Sequence, residues 1–313
     1  MNQAIAIVFS LLVLLAATYA FSPRPAPLVP PREIDVKTLL LLDAAQAGRR
    51  LIAVGERGHI VLSDDQGNTW RPAASPTQAT LTSVHFHDAQ TGWAVGHDSV
   101  ILMSRDGGAT WRLVHSAPEL NKPLLQVLFS DARHGIAIGA YGLYLQTDDG
   151  GATWLTRQII DGDAHLNAFA TLRDGLWFIA GEAGTLLRSA DQGQTWQALT
   201  SPYKGSFFGM LALRDGSLLV YGLRGNVFRS SDAGATWTAS VTGSQAALLG
   251  SALLADGGVL LGGQSGALLL SRDQGQTFQL QHHPERKLVA AIQVAGNNRL
   301  LFGEAGVSRF ALR

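Results

Sequence analysis

Four groups of side chains in this 313-residue chain have types and spacings that could do chemistry. His85 and His87 alternate with Val84 and Phe86, so both imidazoles share one face of an extended strand, like an H-x-H metal pair. No third ligand has a set position, and the pair reads as a structural one between packed elements. The run Asp64-Asp65-Gln66-Gly67 starts like a calcium loop but lacks the late bidentate Glu that such a loop needs. Trp70, Trp111, Trp154, Trp196, Trp237 and Phe278 recur at one motif position, where a sugar-stacking role is less natural than packing. Finally, short Gly-bounded turns carry Glu56, Arg57, His97, Asp98, Tyr141, Glu182, Arg224 and Glu304. Loop residues are polar by default, which makes these ordinary solvated turns. The sharper reading is a polar rim that docks a partner, with Arg57, Tyr141 and Arg224 as anchors. Catalysis, a cofactor and a metal are not expected.

What must position these groups is a repeat. The phrase SDDQGNTW from Ser63 returns as SRDGGATW, TDDGGATW, SADQGQTW, SSDAGATW and SRDQGQTF. Its third-position aspartates, Asp65, Asp106, Asp149, Asp191, Asp232 and Asp273, lie 41, 43, 42, 41 and 41 residues apart. A period of that size means one supersecondary unit repeated as an array. The phrase S/T-x-D-x-G-x-T-W/F is the Asp box, or BNR repeat. It is a tight turn in which Asp is expected to bond backbone N–H groups two residues on, Gly supplies positive φ, and the hydroxyls satisfy nearby groups.

A second phrase of the same period precedes each box: a hydrophobic strand ending in Gly, a short turn and another strand, as in VGERGHIVLS (54–63) and AGEAGTLLRS (180–189). It has seven copies, the last ending at 311 near the C-terminus. Each unit opens with a further apolar stretch, so a repeat holds about four short strands. The expected fold is all-β, a seven-bladed β-propeller with Asp-box repeats, since the Gly-rich turns leave no room for amphipathic helices. The seventh blade runs out after its third strand. The segment around Leu28 to Val36 is expected to supply the missing outer strand and close the ring.

Lys plus Arg equals Asp plus Glu at 24 each, and no basic stripe appears, which argues against nucleic acid as a partner. Zero cysteines exclude disulfides and thiol catalysis. Residues 4–21 form an apolar run followed by SPRPAPLVPPRE. Residues 1–21 therefore read as a cleaved signal peptide or an N-terminal membrane anchor, 22–32 as a stiff proline-rich linker, and 33–313 as the propeller. Either N-terminal reading places the propeller in the periplasm or another extracytoplasmic compartment. Between blades, Tyr203, Phe207 and Phe208 form either an exposed aromatic patch or the start of the next core strand.

The boxes, their spacing, the export segment and the stretch Val84-His85-Phe86-His87-Asp88 with Gly92-Trp93-Ala94-Val95-Gly96 together resemble the photosystem II assembly and stability factor family. The resemblance covers residues 33–313 and implies a non-enzymatic scaffold that helps assemble or stabilise a membrane protein complex. That complex is photosystem-like or, in a non-photosynthetic host, an RND-type transporter. Sialidase-type glycoside hydrolases, or a carbohydrate-binding lectin, are the rival, because they also carry Asp boxes. Such a hydrolase needs an arginine triad, a Tyr nucleophile assisted by Glu, and an acid/base Asp. The F/Y-R-I-P phrase that usually precedes its first box is missing here, and shared fold alone does not transfer chemistry.

Overall fold

A computed structural model describes residues 2–20, 35–296 and 298–311, which divide into two units, Met1–Ile34 and Asp35–Arg313. In the first unit a 19-residue helix spans Asn2–Ala20, with no charged residue in its first or last turn and exposed Leu11, Leu12, Leu14 and Leu15. Among the described residues no helix is long and apolar enough to cross a membrane.

The second unit is the propeller. Among the described residues, six four-stranded antiparallel meanders and one three-stranded sheet follow in chain order, each with its first strand innermost. Blade 1 comprises Leu41–Ala47, Arg50–Gly55, Ile60–Ser63 and Arg71–Ala73; blade 7 comprises Val289–Ala295, Asn298–Gly303 and Gly306–Phe310. The second strands of blades 2 to 6 are buried along their whole length, as in Gly92–Gly96 and Trp177–Gly181, because each blade is sandwiched between two others. That is why they read as unbroken apolar runs rather than alternating ones. Ile52, Val54 and Leu62 of blade 1 pack on Val84, Ala94 and Leu102 of blade 2. Trp93 stacks on Phe129 of blade 3 with ring centroids 3.4 Å apart. Each such buried side chain contributes about 1.5–3 kcal/mol.

All six boxes form the same knot. In the first, Ser63 Oγ donates to Asp65 (2.8 Å) and accepts from the Gly67 N–H (2.8 Å), while Asp65 accepts from the Thr69 N–H (2.9 Å) and hydroxyl (2.6 Å). The carboxylate thus reaches backbone three and four residues on, not two. The closing aromatics pack within and between blades: Trp70 meets Phe302 of blade 7 edge-on, and Trp196 meets both Tyr144 of blade 3 and Phe169 of its own blade.

A second constraint repeats seven times on the opposite face. The glycine ending each second strand, Gly55, Gly96, Gly139, Gly181, Gly222, Gly263 or Gly303, lies where a Cβ would fall under 3.0 Å from the carbonyl oxygen of the residue before the inner strand. The next residue donates its N–H to that same carbonyl, as Glu182 does to His165 at 2.8 Å and Gln264 to Ala247 at 2.9 Å. Each turn is thereby tied to the link arriving from the preceding blade.

The ring closes without a fourth strand in blade 7 among the described residues. Most of the expected closing segment, residues 28–34, lies outside the described residues. Its described end, Asp35 and Val36, enters a short 3-10 turn, Val36–Thr38. The Val36 carbonyl nests against Gly306 as the carbonyls of Thr77, Tyr203 and Ser244 nest against Gly58, Gly184 and Gly225. Residues 35–38 therefore take, for blade 7, the place that an interblade link takes elsewhere. Arg309 adds a bond to the Gly67 carbonyl of blade 1 (3.2 Å), and Gln293 one to the Ala44 carbonyl.

The glycine constraint makes opposite predictions within one turn. Gly181→Ala should cost at least about 2 kcal/mol through backbone overlap. Two residues on, Ala183 sits at φ 52 and is exposed, so Ala183→Gly should be neutral or stabilising. Thermal melts of the two variants check both signs.

Candidate functional site

The turns between second and third strands project from the face opposite the boxes. In six of them the middle residue is left-handed without being glycine: Arg57 (φ 53), Asp98 (58), Tyr141 (54), Ala183 (52), Arg224 (59) and Ser265 (53). Such a conformation persists only where surrounding bonds over-determine it. The carbonyl nests described above supply those bonds, and they hold the middle side chain outward on a stiff mount.

The structure sorts the eight rim residues by what their side chains touch. Glu56, Glu182 and Glu304 turn back to accept the N–H groups of Leu40 (3.2 Å), His165 (3.3 Å) and Leu288 (3.0 Å), each just before an inner strand. Tyr141 is 48% exposed and sets its ring edge-on to His165 at 4.8 Å. His165 Nε2 in turn lies 3.9 Å from Glu182, joining blades 3 and 4. His97 and Asp98 are exposed. Arg57 and Arg224 are exposed too, and neither guanidinium has a hydrogen-bond or ion-pair partner among the described residues.

On the propeller axis lies a cavity of about 410 Å³ that no sequence motif marks. Every inner strand carries one extra, bulged residue beside it: Leu42, Thr82, Leu125, Asn167, Phe208, Leu249 and Ala290. Around it, polar side chains stitch neighbouring inner strands. Thr82 donates to the Leu124 carbonyl (2.7 Å) and Asn167 to that of Phe207 (2.8 Å). Asp43 accepts the Val84 N–H (2.9 Å), and Gln126 accepts that of Phe169. Enclosure by the blades pushes the Asp43 carboxyl up to about 6, against the pull of its bonds to Val84, Ser83 and Ala44. Burial likewise pushes the Tyr221 hydroxyl up to about 12, and Ser251 bonds it. Among the cavity's lining residues Asp43 is the one carboxyl, and there is no arginine, lysine or histidine. No signal at the level of single motifs marks these residues, because each sits inside an apolar strand. Aligning the repeats on their inner strands would have found the polar column.

Two expectations resolve differently from one another. Phe207 begins an inner strand and is fully buried, Phe208 lines the cavity, and Tyr203 packs on Phe207 and Phe228 (both 6.0 Å), so no exposed aromatic patch forms there. His85 is enclosed beside the Phe129 backbone, and burial pushes its imidazole down to about 4. His87 lies past the strand end, exposed. No group of three or more metal-ligating side chains gathers among the described residues.

The sequence signature described as photosynthesis system II assembly factor YCF48 matches residues 62–121 and 115–258. Over 77 residues the chain is 33% identical to YkuO, an uncharacterized protein of Bacillus subtilis (strain 168), covering 24% of this chain and 25% of that protein. Over 44 residues it is 41% identical to photosystem II assembly protein Ycf48 of Thermosynechococcus vestitus, covering 14% and 13%. These matches thus span a quarter or less of the curated relatives. The solved structure of YCF48 bound to D1 peptide superimposes with a TM-score of 0.73 over 88% of this chain and 95% of that one, at 22% identity. At that identity the likeness concerns the fold.

The shifted carboxyls predict a signed pH profile. The box aspartates Asp65, Asp149, Asp191 and Asp232, held at about 2 by the Thr hydroxyl and N–H, contribute fully above the unfolded value of 3.8. That contribution is lost as pH falls towards 2. Asp43 runs the other way: the folded state keeps its proton to about 6, so its contribution declines as pH rises from 3.8 through 6. The Tm difference between Asp43→Asn and wild type should therefore move in the variant's favour across that interval and be level above it. The acceptor lost to Asn adds only a constant offset, and a difference that is flat from pH 3 to 7 would refute the shifted carboxyl.

Proposed function

The chain belongs to the photosynthesis system II assembly factor YCF48 family, and from that membership we propose that it is an exported, non-enzymatic propeller whose turn face captures a peptide segment of a membrane-protein subunit during assembly. One observation carries this reading: the rim of left-handed turns holds Arg57 and Arg224 outward, unpaired and preorganised. Such anchors lose little further freedom on binding, which lowers the ordering cost of association. The related protein whose structure holds a D1 peptide supports an extended peptide as the ligand class. The axial lining supports the non-enzymatic half, since one carboxyl without arginine is not the constellation of a sialidase or a carboxylate-pair hydrolase.

The N-terminal run exports the propeller to the periplasm or another extracytoplasmic compartment, as a cleaved signal or a retained anchor. Fractionation of host cells with N-terminal sequencing tests this. A start near Phe21 means cleavage, a start at Met1 in the membrane fraction means an anchor, and a cytoplasmic pool overturns export.

Arg57→Glu combined with Arg224→Glu should cut partner capture from host membranes by at least about tenfold, the scale of losing interface arginines. The melting temperature should barely move, because both positions are exposed. Mass spectrometry of the captured material identifies the complex: a photosystem subunit or an RND-type exporter. Undiminished capture by the double variant excludes this rim, and recovery of glycans alone sinks the scaffold reading in favour of a carbohydrate ligand.

A further inference from the structure

We propose that the axial cavity is a second binding site, one that takes a cationic side chain, an ammonium or guanidinium on an apolar stem as in lysine or arginine, with Asp43 as its counter-ion. The site is distinct from the turn-face rim and does not depend on it.

Charge makes the first argument. Asp43 lines the cavity, and no ion-pair partner reaches it among the described residues. Asp43 is half-buried and holds N–H and hydroxyl donors but no counter-ion, so a cation entering the cavity meets a partly desolvated carboxylate whose charge nothing else in the lining offsets. An anionic ligand would meet the same carboxylate with no basic residue to offset it.

Redundancy makes the second. Asp43 bridges to the next inner strand by accepting the Val84 N–H, and two blades on Gln126 performs the same bridge to Phe169 with a neutral amide. The positions corresponding to Asp43 in the remaining blades are Ser83, Ala168, Gly209, Gly250 and Ala291. Stitching the ring therefore does not need a charge at this position, and the charge that is present is available to a ligand.

Shape makes the third. The bulged Leu42, Leu125, Phe208 and Leu249 are half-buried and line the cavity, so they offer an apolar wall for a methylene stem. The Ser251 hydroxyl and the Gln126 amide oxygen add acceptors around a head group. About 410 Å³ suits one long side chain with accompanying water. Apart from Asp43, the lining's titratable group is Tyr221, which is neutral up to about 12.

The test uses the full chain and three capped amino acids: N-acetyl-lysine methylamide, the arginine counterpart, and the neutral norleucine analogue. Amide NMR shifts of Val84, Gly209 and Ser251 locate binding and yield affinity. The expected result is saturable binding of at least one cationic probe in the millimolar range, with norleucine at least about tenfold weaker, the equivalent of 1.4 kcal/mol. That preference should vanish in Asp43→Asn, fade in wild type between pH 6 and 4, and survive Arg57→Glu with Arg224→Glu. Equal binding of cationic and neutral probes, shifts confined to other residues, or a preference that persists in Asp43→Asn overturns the proposal. Should Asp43→Asn fail to fold, the norleucine comparison and the wild-type pH series decide.

Discussion

Seven carbonyl oxygens occupying the space of seven absent Cβ atoms set the geometry of this propeller. Each glycine at the end of a second strand admits the carbonyl that precedes an inner strand, and the following N–H binds that carbonyl. The contact is local in space but joins segments some sixteen residues apart, so it locks every blade's turn to the link that enters the blade. From it follow the outward aim of Arg57 and Arg224, the left-handed turns, and the register in which each inner strand begins. Backbone strain in the six non-glycine turns is compensated by these bonds, which is why a polar rim can be stiff without a disulfide or a metal.

The boxes do a different task at the other face. Their aspartates are exposed or half-buried and hydrogen-bonded within the eight-residue box, and the closing aromatic carries the connection onward, as Trp70 does to Phe302. Arginines extend this linkage: Arg157 reaches the Gly193 and Gln194 carbonyls (3.0 and 2.6 Å), and Arg309 reaches that of Gly67 (3.2 Å). The box face is thus largely consumed by holding blades together. The turn face and the axis retain side chains with unspent bonding capacity, Arg57, Arg224 and Asp43 among them.

Blade 7 shows how closure is achieved where the repeat runs out. Its last described strand has no partner on the outer side among the described residues, yet the joint to blade 1 uses parts that recur at other joints: a nested carbonyl at Gly306 as at Gly58, an arginine on box carbonyls as Arg157 makes between blades 3 and 4, and an edge-on aromatic pair as Tyr144 and Trp196 form. These shared parts hold the described strands of blade 7 against blade 1 as they hold other neighbouring blades.

Much of this architecture was legible in the sequence, because it depends on short segments whose partners are a few residues away. The six boxes, the seven Gly-bounded turns and the unbroken apolar second strands are local patterns, and each appears where its spacing predicts. The photosystem II assembly factor resemblance was legible from the same patterns. What the sequence left open needed contacts between strands and between blades. Glu56, Glu182 and Glu304 also cap Leu40, His165 and Leu288, N–H groups that the folded blade brings within reach from some sixteen residues away. Tyr203 is drawn onto Phe207 and Phe228. Asp43, Gln126 and Asn167 become one polar belt because seven bulges converge on an axis that no single repeat contains. The sequence by itself determined the repeating unit, through glycine sterics and hydrogen bonds within each turn; only the closed ring decided which side chains remain free to bind, because freedom depends on what the neighbouring blade presents.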